Sequence, residues 1–425
     1  MNERRSVRLE RNARTPQSVG TKMRRHRPDY WLIVLGALLV AIGLIVVYSI
    51  SPALNEFRGG NFVLRQSVAI GLSVLAFIIT SRIPIETFRK YRWHLVAIAA
   101  LGTLVALLTP VVSEYPQHRW IRFGSFSLQS VEVMKFALLI LVSSFLATRA
   151  KAGLINDFRK TLKPLAIGLA AVSAVVVFVQ SDLGSMGVLI AMLGAMVYMA
   201  GLRPRYVLLI GVVALLVAAL AVGSTQYRRD RIATYLNPEQ SCQTDQGYQA
   251  CQALIAVGSG GIAGLGLGNS IQAYGYLPEA QNDSIFAIYA EKFGFLGSMV
   301  LLVLFMTLFS RMRLIIERAP DTFSQLIVTG ILAWFSTQAI INIGAMIGLL
   351  PLKGITLPFV SYGGTSVLFV GAALGLVYQI SHYTSFENRR KSQSARDTEQ
   401  GRNNENTNDR RRIRGAYHPD LGRRS

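Results

Sequence analysis

Apolar runs of about 20 residues recur along most of this sequence, and each is long enough to cross the roughly 30 Å hydrocarbon core of a bilayer. Apolar residue types make up 51% of the 425 residues. The sequence therefore predicts an all-α, polytopic membrane protein with about ten transmembrane helices. The predicted spans are residues 30–50, 62–80, 93–112, 131–148, 164–179, 184–200, 207–222, 286–309, 325–346 and 366–380.

The placement of positive charge orients these spans. Most of the 44 Lys and Arg residues lie in the two termini and in alternate loops, which fall on one side of the membrane. Because cytoplasmic loops carry the excess of Lys and Arg, both termini are predicted to be cytoplasmic. The net charge of +21 then reflects topology, and we expect no nucleic-acid partner.

Three regions follow from this pattern. Residues 1–29 and 385–425 are rich in Arg without a hydrophobic period, which predicts disordered basic cytoplasmic tails. Such tails set topology, and they can also rest on anionic membrane lipid or dock a partner. Residues 30–384 form the predicted transmembrane domain, with a large extracytoplasmic loop at 223–285.

Both cysteines, Cys242 and Cys251, lie in this outward loop. An oxidising exterior permits a disulfide between them, and two free thiols are the alternative. The loop also contains Gly258-Ser-Gly-Gly261 and Gly264-Leu-Gly-Leu-Gly268. Without a preceding strand these glycines do not indicate a dinucleotide site, but their backbone can approach a pyrophosphate or a membrane surface closely.

The stretch from Tyr276 to Phe286 places Glu279 and Asp283 four residues apart before an apolar run. Ionised side chains are costly near a bilayer and are kept there mainly for function. If the stretch is helical, the spacing puts both carboxylates on one face. The alternative is that the two acids cap the following helix.

Other outward segments bring polar groups to the same leaflet. Arg119 and Trp120 lie in the loop from Ser113 to Ser130, where Trp120 suits the headgroup region and Arg119 suits a lipid phosphate. Glu132 and Lys135 follow in the next span, and a self-neutralising helix pair explains their spacing.

Two further outward turns complete this set. Gln180-Ser-Asp-Leu-Gly184 predicts a tight turn with Asp182 as a helix N-cap. The last outward loop, residues 348–364, contains two prolines, Lys353 and Ser361. Because irregular backbone at membrane depth is tolerated only inside protein or along a cavity, the converging groups indicate a functional site.

The motifs, in this order, resemble the SEDS family (shape, elongation, division and sporulation proteins) over about residues 30–380. The matching segments are Arg119-Trp-Ile121, Gln129 to Lys135, Gln180 to Gly184, Gly247-Tyr-Gln249, Gly258 to Gly261, Leu277 to Asp283, Asn342-Ile-Gly344 and Ser361 to Gly364. Lys353-Gly-Ile-Thr-Leu-Pro358 is more similar to the cell-division members than to the elongation members. Gln281-Asn-Asp283 replaces the family's His-Thr-Asp, and Ser130 replaces a proline.

The resemblance implies a peptidoglycan glycosyltransferase that polymerises lipid II on the outer face of the bacterial cytoplasmic membrane, at the division septum. The catalytic aspartate of the family corresponds to Asp283. This transfer requires a carboxylate base and cations that stabilise the departing diphosphate. The residues expected to bind substrate are Glu279, Arg119, Trp120, Glu132, Lys135, Lys353 and Ser361.

The family also implies a divalent cation, Mg²⁺ or Mn²⁺, although the sequence shows no dedicated ligand cluster. The implied partners are the growing glycan chain, a single-span class B penicillin-binding transpeptidase and other divisome proteins. Three alternatives stay open at this point: a lipid II flippase, the elongation role, and a non-catalytic division scaffold.

Overall fold

The computed structural model describes residues 24–25, 27–58, 61–109, 120–123, 126–208, 210–212 and 245–384, with single residues at 223, 229, 235 and 242. The chain divides into two units, Met1–His26 with Tyr383–Ser425, and Arg27–His382. In the first unit the described part is an antiparallel pairing of Arg24–Arg25 with Tyr383–Thr384. The remainder of both predicted tails lies outside the described residues.

The described part of the unit Arg27–His382 is a helical bundle with one β-hairpin. Its elements are α1 (Trp31–Arg58), α2 (Phe62–Arg82), α3 (Ile85–Lys90), α4 (Arg92–Leu108), β1 (Trp120–Phe123), β2 (Phe126–Gln129), α5 (Ser130–Lys151), α6 (Lys163–Ala174), α7 (Leu183–Met199), α8 (Asp245–Ser259), α9 (Ile285–Arg318), α10 (Thr322–Met346) and α11 (Gly364–Ser381). Two π-helical turns, Phe158–Leu162 and Val175–Val179, extend α6 at its ends.

The predicted all-α membrane class is confirmed. Within the described residues, seven helical segments are long and apolar enough to cross a membrane, and α4 and α7 are shorter apolar helices. The predicted span 207–222 lies mostly outside the described residues, so the count of ten spans and the cytoplasmic termini stay predictions.

Close packing of α11 on α2 depends on small residues. A β-carbon on Gly371 would lie 2.2 Å from Ser73 Oγ, and one on Gly375 would lie 2.1 Å from Thr80 Oγ1. The two hydroxyls donate across the interface. Ser73 donates to the Val367 carbonyl at 2.7 Å, and Thr80 donates to the Ala372 carbonyl at 2.8 Å. Hydrogen bonds of this kind hold helices together where lipid supplies no hydrophobic driving force.

Several local predictions differ from the structure. Helix α1 continues through Pro52 to Arg58, where a loop had been expected from residue 51. The loop predicted at 113–130 ends in the antiparallel hairpin β1–β2.

Asp182 caps α7 as predicted, accepting from the Ser185 amide at 2.9 Å. Cys251 of α8 forms a disulfide with Cys242, with the two Cα atoms 5.4 Å apart.

Glu132 and Lys135 form a buried ion pair on α5, as the helix-pair explanation predicted. Lys135 Nζ lies 2.7 Å from Glu132 Oε1, and the two side chains are 0% and 3% exposed. The same ammonium lies 4.8 Å from the ring centroid of Trp334 on α10. The pair therefore joins α5 to α10 inside the bundle.

Removing one member of this pair should destabilise the fold more than removing both. Glu132→Met leaves the Lys135 charge buried without its partner, and such changes cost about 3–5 kcal/mol. Glu132→Met combined with Lys135→Met leaves no charge, and the free energy of unfolding should recover most of that loss. Denaturant titration in detergent micelles measures the difference. A double variant less stable than either single variant would contradict this account.

Candidate functional site

Glu279 and Asp283 lie in a series of turns that ends at Ser284, directly before α9. Glu279 adopts a left-handed backbone conformation with φ of 50°. Its carbonyl accepts from the amides of Asn282 at 2.9 Å and Ser284 at 3.2 Å. Asn282 Nδ2 also donates to Glu279 Oε2 at 2.5 Å.

The helical interpretation of this stretch was therefore wrong, and so was the capping interpretation. α9 begins at Ile285 with Ser284 as its N-cap, so neither acid occupies the capping position. The Ser284 hydroxyl does not cap the helix; it donates to the Pro278 carbonyl at 3.0 Å and accepts from Gln249 Nε2 of α8 at 3.1 Å. These contacts fold the stretch back on itself.

Three successive carbonyl groups of this stretch are held by donors from the far end of the chain. The Tyr362 amide donates to the Gln281 carbonyl at 2.9 Å. The Ser361 hydroxyl donates to the Asn282 carbonyl at 2.7 Å. Asn342 Nδ2 donates to the Asp283 carbonyl at 2.7 Å. The backbone around Asp283 is thereby fixed, and the residue itself is half-buried.

The same donors also shape the loop between α10 and α11. Asn342 Nδ2 donates a second hydrogen bond to the Ile355 carbonyl at 2.7 Å, and the Leu357 amide donates to Ser361 Oγ at 2.7 Å. Asn342 and Ser361 are 1% and 2% exposed, so no solvent competes for these bonds. The loop and the Asp283 stretch therefore form one rigid surface.

The backbone of Lys353 and Gly354 lies between Asp283 and the first turn of α7. A β-carbon on the neighbouring Gly354 would lie 3.0 Å from Asp283 Oδ2. On the other side, a β-carbon on Gly184 would lie 3.4 Å from the Lys353 β-carbon. Glycine at 354 and 184 therefore lets the carboxylate, the lysine backbone and the α7 turn approach one another.

The turn before α7, residues 180–182, also contacts the start of α5. Gln180 Nε2 donates to Ser130 Oγ at 2.9 Å, and Ser130 precedes the Glu132–Lys135 pair by less than one turn. The pair itself is buried. Its described contacts are within α5 and with Trp334, so it borders the site through Ser130.

The β1–β2 hairpin also borders this region. Trp120 is half-buried at the start of β1, and the Thr365 hydroxyl of α11 donates to the Ser127 carbonyl at 2.8 Å. The Gln129 amide donates back to Thr365 Oγ1 at 3.1 Å. Thr365 lies four residues after Ser361, so the hairpin is fixed beside the loop between α10 and α11. Arg119 lies outside the described residues.

Sequence reasoning gave no role to three residues that the structure places at this site. Asn342 and Gln249 hold the Asp283 stretch, and both lie in motifs that had been noted without a function. Arg65 of α2 lies next to Tyr362. Burial raises the pKa of the Tyr362 phenol, and the Arg65 charge and hydrogen bond oppose that rise. An arginine inside a predicted span was the available signal for this contact.

The site offers few oxygen ligands for a metal. Among the described residues no group of three or more His, Cys, Asp and Glu side chains could hold an ion. Glu279 and Asp283 provide two carboxylates. This donor set fits Mg²⁺, which proteins usually bind through one or two carboxylates together with waters and substrate phosphates.

Known proteins share both the sequence and the fold. The model of the FtsW/RodA/SpoVE family, described as cell cycle protein, matches residues 29–386. Stage V sporulation protein E of Bacillus subtilis is 36% identical over 84% of this chain and 98% of its own length. A probable peptidoglycan glycosyltransferase FtsW of Coxiella burnetii is 36% identical over 84% of this chain and 96% of its own.

Solved structures agree. One, a chain of a peptidoglycan synthase complex, is 25% identical and superposes with a TM-score of 0.68 over 83% of this chain and 97% of its own. The rod shape determining protein RodA of Thermus thermophilus is also 25% identical, with a TM-score of 0.61 over 83% and 96%. These matches confirm the resemblance read from the motifs. The chain belongs to the FtsW/RodA/SpoVE family of cell cycle proteins and is a multi-pass membrane protein with the fold of that family.

Proposed function

We propose that this protein is a peptidoglycan glycosyltransferase that polymerises lipid II on the outer face of the cytoplasmic membrane. Relatives that carry this name match 84% of the chain. The observation that carries the proposal is the set of hydrogen bonds to three successive carbonyls, which fixes the backbone at Asp283. The Asp283 carboxylate lies against Gly354, the residue that follows Lys353. Transfer from a lipid diphosphate requires a positioned carboxylate base and a cation, and Asp283 and Lys353 lie close enough along this surface to supply them.

Asp283 acts as the general base. It accepts the proton of the acceptor sugar hydroxyl while that oxygen bonds to the anomeric carbon of the donor. The bond from this carbon to the diphosphate breaks, and its electron pair leaves with undecaprenyl diphosphate. A single displacement of this kind inverts the configuration and forms no covalent intermediate with the protein.

The remaining residues bind and position substrate. Lys353 contacts the diphosphate, Glu279 and Ser361 orient the Asp283 stretch, and Arg119 with Trp120 contacts the lipid or sugar. Glu132 and Lys135 are buried, so direct contact with substrate requires α5 and α10 to separate; in the described conformation they support Ser130 and the α7 turn. A divalent cation held by Glu279 would neutralise diphosphate charge and leave the Asp283 carboxylate to accept the proton.

We further propose a role in septal wall synthesis with a single-span class B penicillin-binding transpeptidase and other divisome proteins. The Lys353-Gly-Ile-Thr-Leu-Pro358 loop supports this choice over elongation. A solved relative occurs in a peptidoglycan synthase complex, which supports a partner of this kind.

Asp283→Asn should abolish polymerisation while leaving the fold intact. The amide cannot accept the proton, and general base catalysis is worth about 10²–10⁴-fold. The assay follows glycan chains formed from lipid II by the purified protein with its transpeptidase partner. Asp157→Asn, the same change in a cytoplasmic turn, is the matched control and should keep full activity.

Expression of Asp283→Asn beside the wild type in growing cells tests the septal role. A dominant division block with filamentous cells is expected, whereas rounded cells would indicate elongation. Lipid II translocation by both proteins with no polymer from either would contradict the enzyme and favour a flippase. Normal septation would favour a scaffold.

Lys353→Met should weaken substrate binding more than folding. The change keeps the chain length but removes a charge whose hydrogen bond to a diphosphate is worth about 1.5–3 kcal/mol, so KM for lipid II should rise about 10–100-fold. Lys160→Met, in an exposed cytoplasmic turn, controls for the loss of one lysine. An unchanged KM would remove Lys353 from the site.

Asn342→Leu should lower kcat with little change in KM. It leaves the carbonyls of Asp283 and Ile355 without their donor, and a 1 Å misplacement of a catalytic group can cost about 10²-fold. Gln338→Leu is the matched control because Gln338 lies one turn away on the same buried face, with no partner for its carbonyl oxygen. Equal losses in both variants would show a general packing effect.

A further inference from the structure

The outward segment between α8 and Glu279 lacks charge and exposes apolar side chains. No Asp, Glu, Lys or Arg occurs between Asp245 and Glu279. Five large side chains of this segment are between 44% and 73% exposed: Ile262, Leu267, Ile271, Tyr274 and Tyr276. A solvent-exposed loop usually carries polar residues at such positions. A contiguous patch of exposed apolar side chains therefore marks an interaction surface.

The backbone of this segment finds its partners within the protein. The amides of Leu265 and Gly266 donate to the carbonyls of Glu291 and Lys292 at 2.9 and 3.0 Å. The amides of Ile271 and Gln272 donate to Glu291 Oε1 at 2.8 and 3.1 Å. Internal pairing of this kind is the condition for irregular backbone to contact lipid.

The charges that anchor the segment are hidden beneath it. Glu291 and Lys292 are 0% and 2% exposed. Glu291 Oε2 accepts from the Ser270 hydroxyl at 2.5 Å, and Lys292 Nζ donates to the Leu267 carbonyl at 2.7 Å. The segment thus presents apolar side chains outward and turns its polar contacts toward α9.

This surface continues into the apolar face of α9. The amides of Phe295 and Leu296 donate to the carbonyls of Gly261 and Ile262 at 2.9 and 3.1 Å. Phe295 and Leu296 are exposed, and so is Val303 two turns further along the spanning helix. The backbone of α9 is non-helical at Gly294, with φ of 64°, so its spanning part begins at Phe295. At a rise of 1.5 Å per residue, Phe295 lies about 24 Å from Arg311, the first charged residue toward the cytoplasmic end. The segment therefore meets α9 near the outer boundary of the hydrocarbon.

We propose that residues 261–276 rest in the outer leaflet, at the boundary between headgroups and acyl chains. Ile262, Leu267 and Ile271 enter the acyl region, and the two tyrosines suit the headgroup level. Because Glu291 and Lys292 tie the segment to α9, which starts two residues after Asp283, lipid contact also fixes the height of that carboxylate. The membrane contact stands independently of the proposed reaction.

Nitroxide labels test this contact in the full chain reconstituted in nanodiscs. Ile262→Cys, Ile271→Cys and Tyr276→Cys are labelled one at a time, at exposed positions that tolerate substitution, while the native cysteines are paired. Power saturation compares collisions with oxygen, which concentrates in lipid, and with a water-soluble nickel chelate. Val303→Cys serves as the lipid reference and Glu317→Cys as the water reference.

The oxygen-to-nickel ratio at positions 262 and 271 should approach that at Val303 and exceed that at Glu317 several-fold. The ratio at Tyr276 should be intermediate. Ratios at all three positions equal to that at Glu317 would overturn the proposal. The proposal would also be overturned if the ratios were water-like and the collision rates with both reagents fell only after a partner protein was added. The surface would then be a protein-docking site.

Discussion

The organisation of this site depends on satisfying backbone carbonyls at the membrane surface. An irregular stretch placed there cannot leave its polar groups unpaired. Here the carbonyls of Gln281, Asn282 and Asp283 are each bound by a donor that comes from α10 or the loop after it. The same bonds that make the irregular backbone tolerable also hold the Asp283 side chain in one place. The stability of this stretch and the position of the Asp283 backbone therefore rest on one set of interactions.

Two pairs of neighbouring charged residues are almost fully buried. Glu132 with Lys135, and Glu291 with Lys292, make their described contacts within the protein. Such groups join helices and loops. Asp283 and Lys353 are half-buried residues. Burial thus distinguishes these two residues of the proposed site from the charges that lie inside the bundle.

Hydropathy predicted most of the fold because each span needs its own apolar run, and the N-cap Asp182 and the Glu132–Lys135 pair depend only on neighbours within one turn. The turns around Glu279 could not be predicted in this way. Their conformation is fixed by Ser361 and Asn342, which lie about 60 to 80 positions further along the chain, and these contacts override the local tendency to form helix. The hairpin likewise depends on Thr365 of α11.

The most direct measurement is a structure of the protein bound to a lipid II analogue with a non-cleavable diphosphate, together with an acceptor glycan. The account predicts the acceptor hydroxyl within about 2.6–3.2 Å of the Asp283 carboxylate and the diphosphate within reach of Lys353. The carbonyl contacts of Asn342 and Ser361 should be unchanged. An acceptor bound away from Asp283, or a diphosphate held on the cytoplasmic side, would contradict it.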